Sequence, residues 1–117
     1  MERINTLSQP KAFLFDLDGV FYISGKLIFG GPDAIALLRE KKIPFRIVTN
    51  TTIKTRKQLT LQLNNLGLAV RKDEIVTAGQ AGVIHLRKCG SPPCYLLISE
   101  ELKEDYAEFD CGNQKPE

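Results

Sequence analysis

Two carboxylates one residue apart, Asp16 and Asp18, are followed at once by a glycine, Gly19. The glycine lets the chain turn and bring both acids toward one pocket. Two close carboxylates repel each other unless a cation lies between them. A hard divalent ion answers that need, and Mg²⁺ takes oxygen ligands while keeping phosphate oxygens and water in its shell. A carboxylate can also attack phosphorus, and a second can protonate the leaving oxygen and then activate water. Further along lies Thr49-Asn50-Thr51-Thr52, a run of small polar residues. The Thr49 hydroxyl and backbone N–H groups near Asn50, ahead of a helix, suit phosphate oxygens. Taken alone, an Asp-x-Asp pair is as well explained by capping or a turn. The two clusters together point to phosphoryl chemistry.

Both clusters need elements to position them. Ala12 to Leu17 is short, apolar and aromatic, the composition of a strand buried on both faces. Val20 to Phe29 reads as a small hairpin turning at Ser24-Gly25. Pro32 and Asp33 suit a helix start, Ile35 and Leu38 its apolar face, and Pro44 lies just beyond its end. Phe45 to Val48 reads as a second buried strand. Thr55 and Gln58 fit a capping box, with Leu59, Leu63 and Leu66 on one helical face and Gly67 as the cap. Ile75 to Thr77 is a third strand candidate, Ala78 to Lys88 a helix weakened by Gly79 and Gly82, and Cys94 to Ile98 a fourth strand candidate. Glu100 to Phe109 is acidic and ambiguous.

Alternating strands and helices predict an α/β fold, a Rossmann-like parallel sheet with flanking helices. Ligands in such sheets bind beyond the carboxyl ends of the strands. Asp16 to Gly19 and Thr49 to Thr52 both fall at predicted strand ends on that edge.

The remaining composition narrows the classes. At 117 residues, 43% hydrophobic and 26% charged, the chain suits one small globular domain. A net charge of +2 gives no argument for nucleic acid. Lys54, Arg56 and Lys57 form a modest basic cluster, either a solvated helix start or a positive rim for an anionic substrate. Three cysteines, Cys89, Cys94 and Cys111, with a single histidine, His85, favour neither a disulfide framework nor zinc. No apolar run approaches the ~20 residues of a membrane span. Met1 to Pro10 shows no signal or transit pattern, so a cytoplasmic-type compartment is expected.

Phe13-Leu14-Phe15-Asp16-Leu17-Asp18-Gly19-Val20 resembles the first motif of the haloacid dehalogenase superfamily, and Ile47-Val48-Thr49-Asn50 its second. Tyr22 to Pro32, Thr49 to Thr52, Leu66-Gly67 and Ile75 to Ala78 are similar to the subclass of p-nitrophenyl phosphatases and NagD. Tyr95 to Ile98 resembles the branch of the phospholysine phosphohistidine inorganic pyrophosphate phosphatases.

The resemblance implies Mg²⁺-dependent hydrolysis of a small phosphate monoester, phosphoramidate or pyrophosphate through an aspartyl-phosphate. It implies Asp16 as nucleophile and Asp18 as general acid/base. Asp16 and Asp18 would hold the metal, with the Asp18 carbonyl as a ligand. Thr49, Asn50 and Gly19 would form the phosphate site, with the Gly25 hairpin as a closing flap. In that family a lysine motif and an acidic metal motif follow an inserted cap. Here Lys103 and Lys115 lie in an acidic helix and a tail, while Asp105 and Asp110 lack a strand-and-glycine setting. The resemblance therefore divides the chain into an N-terminal extension (1–10), the N-terminal half of the core (11–93), the start of a cap-type segment (94–110) and a flexible tail (111–117). It also implies an open, apolar sheet edge at the Asp16 strand, and hence a homodimer through that edge, aggregation or marginal stability. Two readings compete: a phosphatase, and a non-catalytic module that self-associates or binds a partner. A phosphomutase is chemically close to the first. A receiver-type phosphorelay domain fits less well, because its acceptor strand usually lies well inside the chain.

Overall fold

A computed structural model describes residues 9–110 and Gly112. The expectations for Met1 to Ser8, for Cys111, and for the tail from Asn113, including Lys115, lie outside the described residues. Strand β1 spans Phe13–Asp16, β2 Tyr22–Ile23, β3 Lys26–Leu27, β4 Phe45–Thr49 and β5 Ile75–Thr77. Helix α1 spans Gly31–Glu40, α2 Arg56–Leu66, α3 Ala78–Lys88 and α4 Lys103–Tyr106.

The three longer strands form one parallel sheet in the order β1-β4-β5. Phe13 pairs with Phe45 and Asp16 with Val48 across β1 and β4, and Thr49 pairs with Thr77 across β4 and β5. Parallel neighbours need a crossover, and α1 and α2 supply the two required here. Helix α2 begins with the capping box: the Gln58 N–H donates to Thr55 Oγ1 at 3.1 Å, and the Thr55 N–H donates to Gln58 Oε1 at 2.9 Å. It ends at Gly67, whose φ of 104° places it in the left-handed region.

Alternation along β4 fixes the core. Phe45, Ile47 and Thr49 are buried, while Arg46 and Val48 are exposed. Ile35 and Leu38 of α1, with Leu59 and Leu63 of α2, pack on that buried face together with Ile75. Beneath the core, Arg39 grips the buried Glu74 through two hydrogen bonds of 2.7 and 2.9 Å and stands 5.3 Å from the Phe45 ring centroid.

The structure corrects two expectations. The first two strands are covered on one face only: Leu14 is 77% exposed and Val48 41%. The physical reason is that α1 and α2 both pack on the same side. The fourth strand does not form either. Between Cys94 and Ile98 only Cys94 makes a β-bridge, to Asp110, and Leu97 is 86% exposed. An apolar run becomes a strand only where a neighbour accepts its backbone bonds. Here the segment instead leads into a short helical arm lying on α3. Leu102 contacts Gly79, and the Tyr106 hydroxyl donates to the Gly79 carbonyl at 2.6 Å. Burial there pushes the Tyr106 phenol up. A Cβ at Gly82 would lie 2.2 Å from the Tyr106 hydroxyl oxygen, so both helix-weakening glycines make room for the arm.

Candidate active site

β1 ends at Asp16 and the chain bends through Asp18 and Gly19 into the hairpin. Gly19 takes a φ of 79°, and its N–H donates to the Tyr22 carbonyl at 2.8 Å. That donor is thus engaged in the base of the hairpin. Ser24 and Gly25 both have positive φ, 49° and 83°, as a tight two-residue hairpin turn requires. Phe21 roots the hairpin in the core, edge-on to Phe15 with ring centroids 5.1 Å apart. The expected flap is therefore a real hairpin, fixed at its base beside Asp18.

β4 delivers Thr49 to the same edge of the sheet. Thr49 is buried, and its Oγ1 accepts the Thr51 N–H at 3.3 Å. Asn50 is exposed in the loop that follows. Asp18 and Thr49 line one cavity of about 200 Å³, together with Tyr22, Thr51, Lys54 and Gln62. Asp16 does not line it. The Asp16 side chain is exposed, and its Oδ1 accepts the adjacent Leu17 N–H at 2.8 Å. Sequence reasoning thus places Asp16, Asp18, Gly19, Thr49 and Asn50 at one end of the sheet. The structure brings Asp18 and Thr49 into a shared pocket and leaves Asp16 at its margin.

Three further residues complete the wall. Tyr22 appears in the sequence only as a hairpin residue. Gln62 lies between Leu59 and Leu63, on the border of the buried stripe of α2, where periodicity gives no sign of a site. Lys54 carries the one signal that could have found it, membership of the basic cluster. Gln62 Nε2 donates to the Tyr22 hydroxyl at 3.3 Å, and Lys54 Nζ donates to Gln62 Oε1.

Among the described residues no three acidic, histidine or cysteine side chains gather into a metal cluster. Two carboxylates and a carbonyl at a strand end nonetheless suit Mg²⁺, which is usually held by one or two carboxylates plus phosphate and water.

A parallel sheet with an Asp-x-Asp bend at one strand end and a buried threonine at the next is the layout of a phosphoryl-transfer hydrolase. The chain belongs to the haloacid dehalogenase-like hydrolases, whose family model matches residues 13–112. It is 31% identical over 111 residues to the human phospholysine phosphohistidine inorganic pyrophosphate phosphatase, covering 92% of this chain and 41% of that protein. It is 37% identical over 86 residues to the chloroplastic phosphoglycolate phosphatase 1A of Arabidopsis thaliana, covering 74% of this chain and 24% of that one. The solved 4-nitrophenylphosphatase of Thermotoga maritima superposes with a TM-score of 0.77 at 29% identity, over 85% of this chain and 38% of that one. The chain thus spans about two fifths or less of the length of these relatives. Among the described residues no helix is long and apolar enough to cross a membrane.

Proposed function

We propose that this chain carries the nucleophile-bearing half of a Mg²⁺-dependent phosphatase acting on a small phosphorylated substrate. The observation that carries the reading is the single cavity shared by Asp18 and Thr49 at the carboxyl edge of the sheet. The relatives' substrates, a phosphoramidate or pyrophosphate in one case and a phosphate monoester in another, set the range.

A carboxylate oxygen of Asp16 attacks phosphorus as the bond to the leaving oxygen breaks, and Asp18 gives that oxygen its proton. Water then attacks the aspartyl-phosphate, yields its proton to Asp18, and releases inorganic phosphate and the Asp16 carboxylate. Asp16 must first turn from the Leu17 N–H toward the cavity. The Thr49 hydroxyl and the backbone at Asn50 hold the phosphoryl oxygens, and the Gly19 N–H can join them only on leaving the Tyr22 carbonyl. Asp16 and, through its backbone carbonyl, Asp18 would hold Mg²⁺, which when bound would neutralise charge on the phosphoryl group. Residues 11–93 form the core unit and 94–110 the beginning of a cap-type segment, in a cytoplasmic-type compartment that suits the free thiols of Cys89 and Cys94.

One observation favours a second reading, a non-catalytic module that self-associates. Among the described residues β1 is the outer strand of the sheet and Leu14 on it is exposed, an edge that suits pairing with a second copy.

Turnover of p-nitrophenyl phosphate with MgCl₂ tests the first reading. Rate that is lost in EDTA and falls at least about a hundredfold in Asp16→Asn supports it. A folded sample without turnover, whose sedimentation shows dimers, favours the module instead.

A further inference from the structure

Lys54 stands where two spaces meet. It lines the cavity of about 200 Å³ that holds Asp18 and Thr49. It also lines an adjoining open groove of about 580 Å³, whose walls include Ile53, Leu61, Leu66 and, as the one carboxylate among its lining residues, Glu101. A substrate with its phosphoryl group in the inner cavity would find room for its remaining part in that groove, past Lys54.

The ammonium is held at this junction. Lys54 is half-buried, and its Nζ donates to Gln62 Oε1. The Gln62 amide in turn donates to the Tyr22 hydroxyl, and the Tyr22 carbonyl accepts the Gly19 N–H beside Asp18. The amide partner is neutral, so it positions the lysine without cancelling its charge. Among the described residues Lys54 has no carboxylate partner, whereas Lys103 is paired with Glu100 and Arg39 with Glu74. An ammonium has three N–H donors, and the amide oxygen uses one. Two donors and a full positive charge are left at the mouth of the cavity that Asp18 lines.

We infer that Lys54 is the specificity residue of this site and selects phosphorylated substrates that carry a second anionic group a few bonds from the phosphoryl. Without it, such a group would meet the negative charge of Asp18 in the cavity and of Glu101 in the groove. With it, the second anion gains a charge-assisted hydrogen bond. The inference rests on the phosphate-site reading above and adds to it the substrate class.

Glycerol 3-phosphate and 3-phosphoglycerate test it, since they share a skeleton and differ by a hydroxymethyl in place of a carboxylate. Binding of each is measured by titration calorimetry with MgCl₂ for the wild-type chain, Lys54→Gln and Lys54→Arg, with far-UV dichroism to show that each is folded. The wild type is expected to favour 3-phosphoglycerate by about fivefold, the upper range for a half-exposed ion pair. Lys54→Gln removes that preference and moves glycerol 3-phosphate by less than about twofold; Lys54→Arg keeps the preference. Equal affinity of the wild type for both ligands overturns the inference while leaving the phosphate site intact. Equal weakening of both ligands by Lys54→Gln also overturns it, because the lysine would then read the phosphoryl itself. Failure of the wild type to bind either ligand overturns the phosphate-site reading and this inference with it.

Discussion

The two faces of the sheet share their strands and differ in almost everything else. On one face Phe45, Ile47 and Ile75 lie beneath Ile35, Leu38, Leu59 and Leu63, and Ile47 has no exposed surface. On the other, Leu14, Arg46 and Val48 stand exposed. The covered face supplies the burial that holds the fold. The open face contributes little to folding and offers an apolar strip beside an unpaired strand edge. Stability and surface chemistry are thereby separated by a single residue of register.

The widest contrast should come from truncating one residue on each face. Ile47→Ala should lose about 3 kcal/mol, within the range for a fully buried aliphatic side chain. Leu14→Ala should stay within about 0.5 kcal/mol, as exposed substitutions do. Urea unfolding measures both. A comparable loss at Leu14 would mean that a second copy covers the open face in solution, and Leu14→Glu should then reduce the dimer seen by sedimentation.

A smaller effect probes the closure of the covered side. Burial pushes the Glu74 carboxyl up, but the Arg39 guanidinium and the Arg71 backbone and side chain more than offset it and hold it below its ordinary value of 4.5. A depressed carboxyl stabilises the fold above that ordinary value, and the contribution fades as pH falls through the lower folded value. Glu74→Gln should therefore lose about 2 kcal/mol at neutral pH, and the deficit should shrink below pH 4.5. Thermal melts of both chains across acidic pH read this directly. A deficit that is constant with pH would show that the Arg39 pairing is not its source.

The smallest effect concerns the arm on α3. Gly82→Ala gains about 1 kcal/mol of helix propensity but drives a methyl against the Tyr106 hydroxyl. Loss of the Tyr106 to Gly79 hydrogen bond should roughly cancel the gain, leaving the melting temperature nearly unchanged. Hydrogen exchange across residues 94–110 should nevertheless accelerate. Unchanged protection would mean that Leu102 and Phe109 hold the arm alone.

Most of the site's framework was legible because the signals were local. The Thr55–Gln58 box, the Gly67 cap, the Ser24-Gly25 turn and the alternation of β4 each depend on a few neighbouring residues. The same locality hid the rest. Ala12 to Phe15 is apolar throughout, so nothing within it tells which face a helix will cover. Tyr95 to Ile98 has strand composition, and only the absence of a pairing partner keeps it irregular. Gln62 joins the wall through Tyr22, a residue 40 positions away, a contact that no periodicity reveals. Asp16 was legible as a strand-end acid, but not the hydrogen bond that its carboxylate accepts from the Leu17 N–H.

The register of the sheet also governs the order in which the chain can fold as it is made. Every strand pair in it, from Phe13 with Phe45 to Thr49 with Thr77, joins residues about 30 positions apart. No strand pair among the described residues waits for anything beyond Thr77, so β1, β4 and β5 can pair, with α1 and α2 in place, before the arm is made. The arm, emerging later, docks onto a surface that already exists.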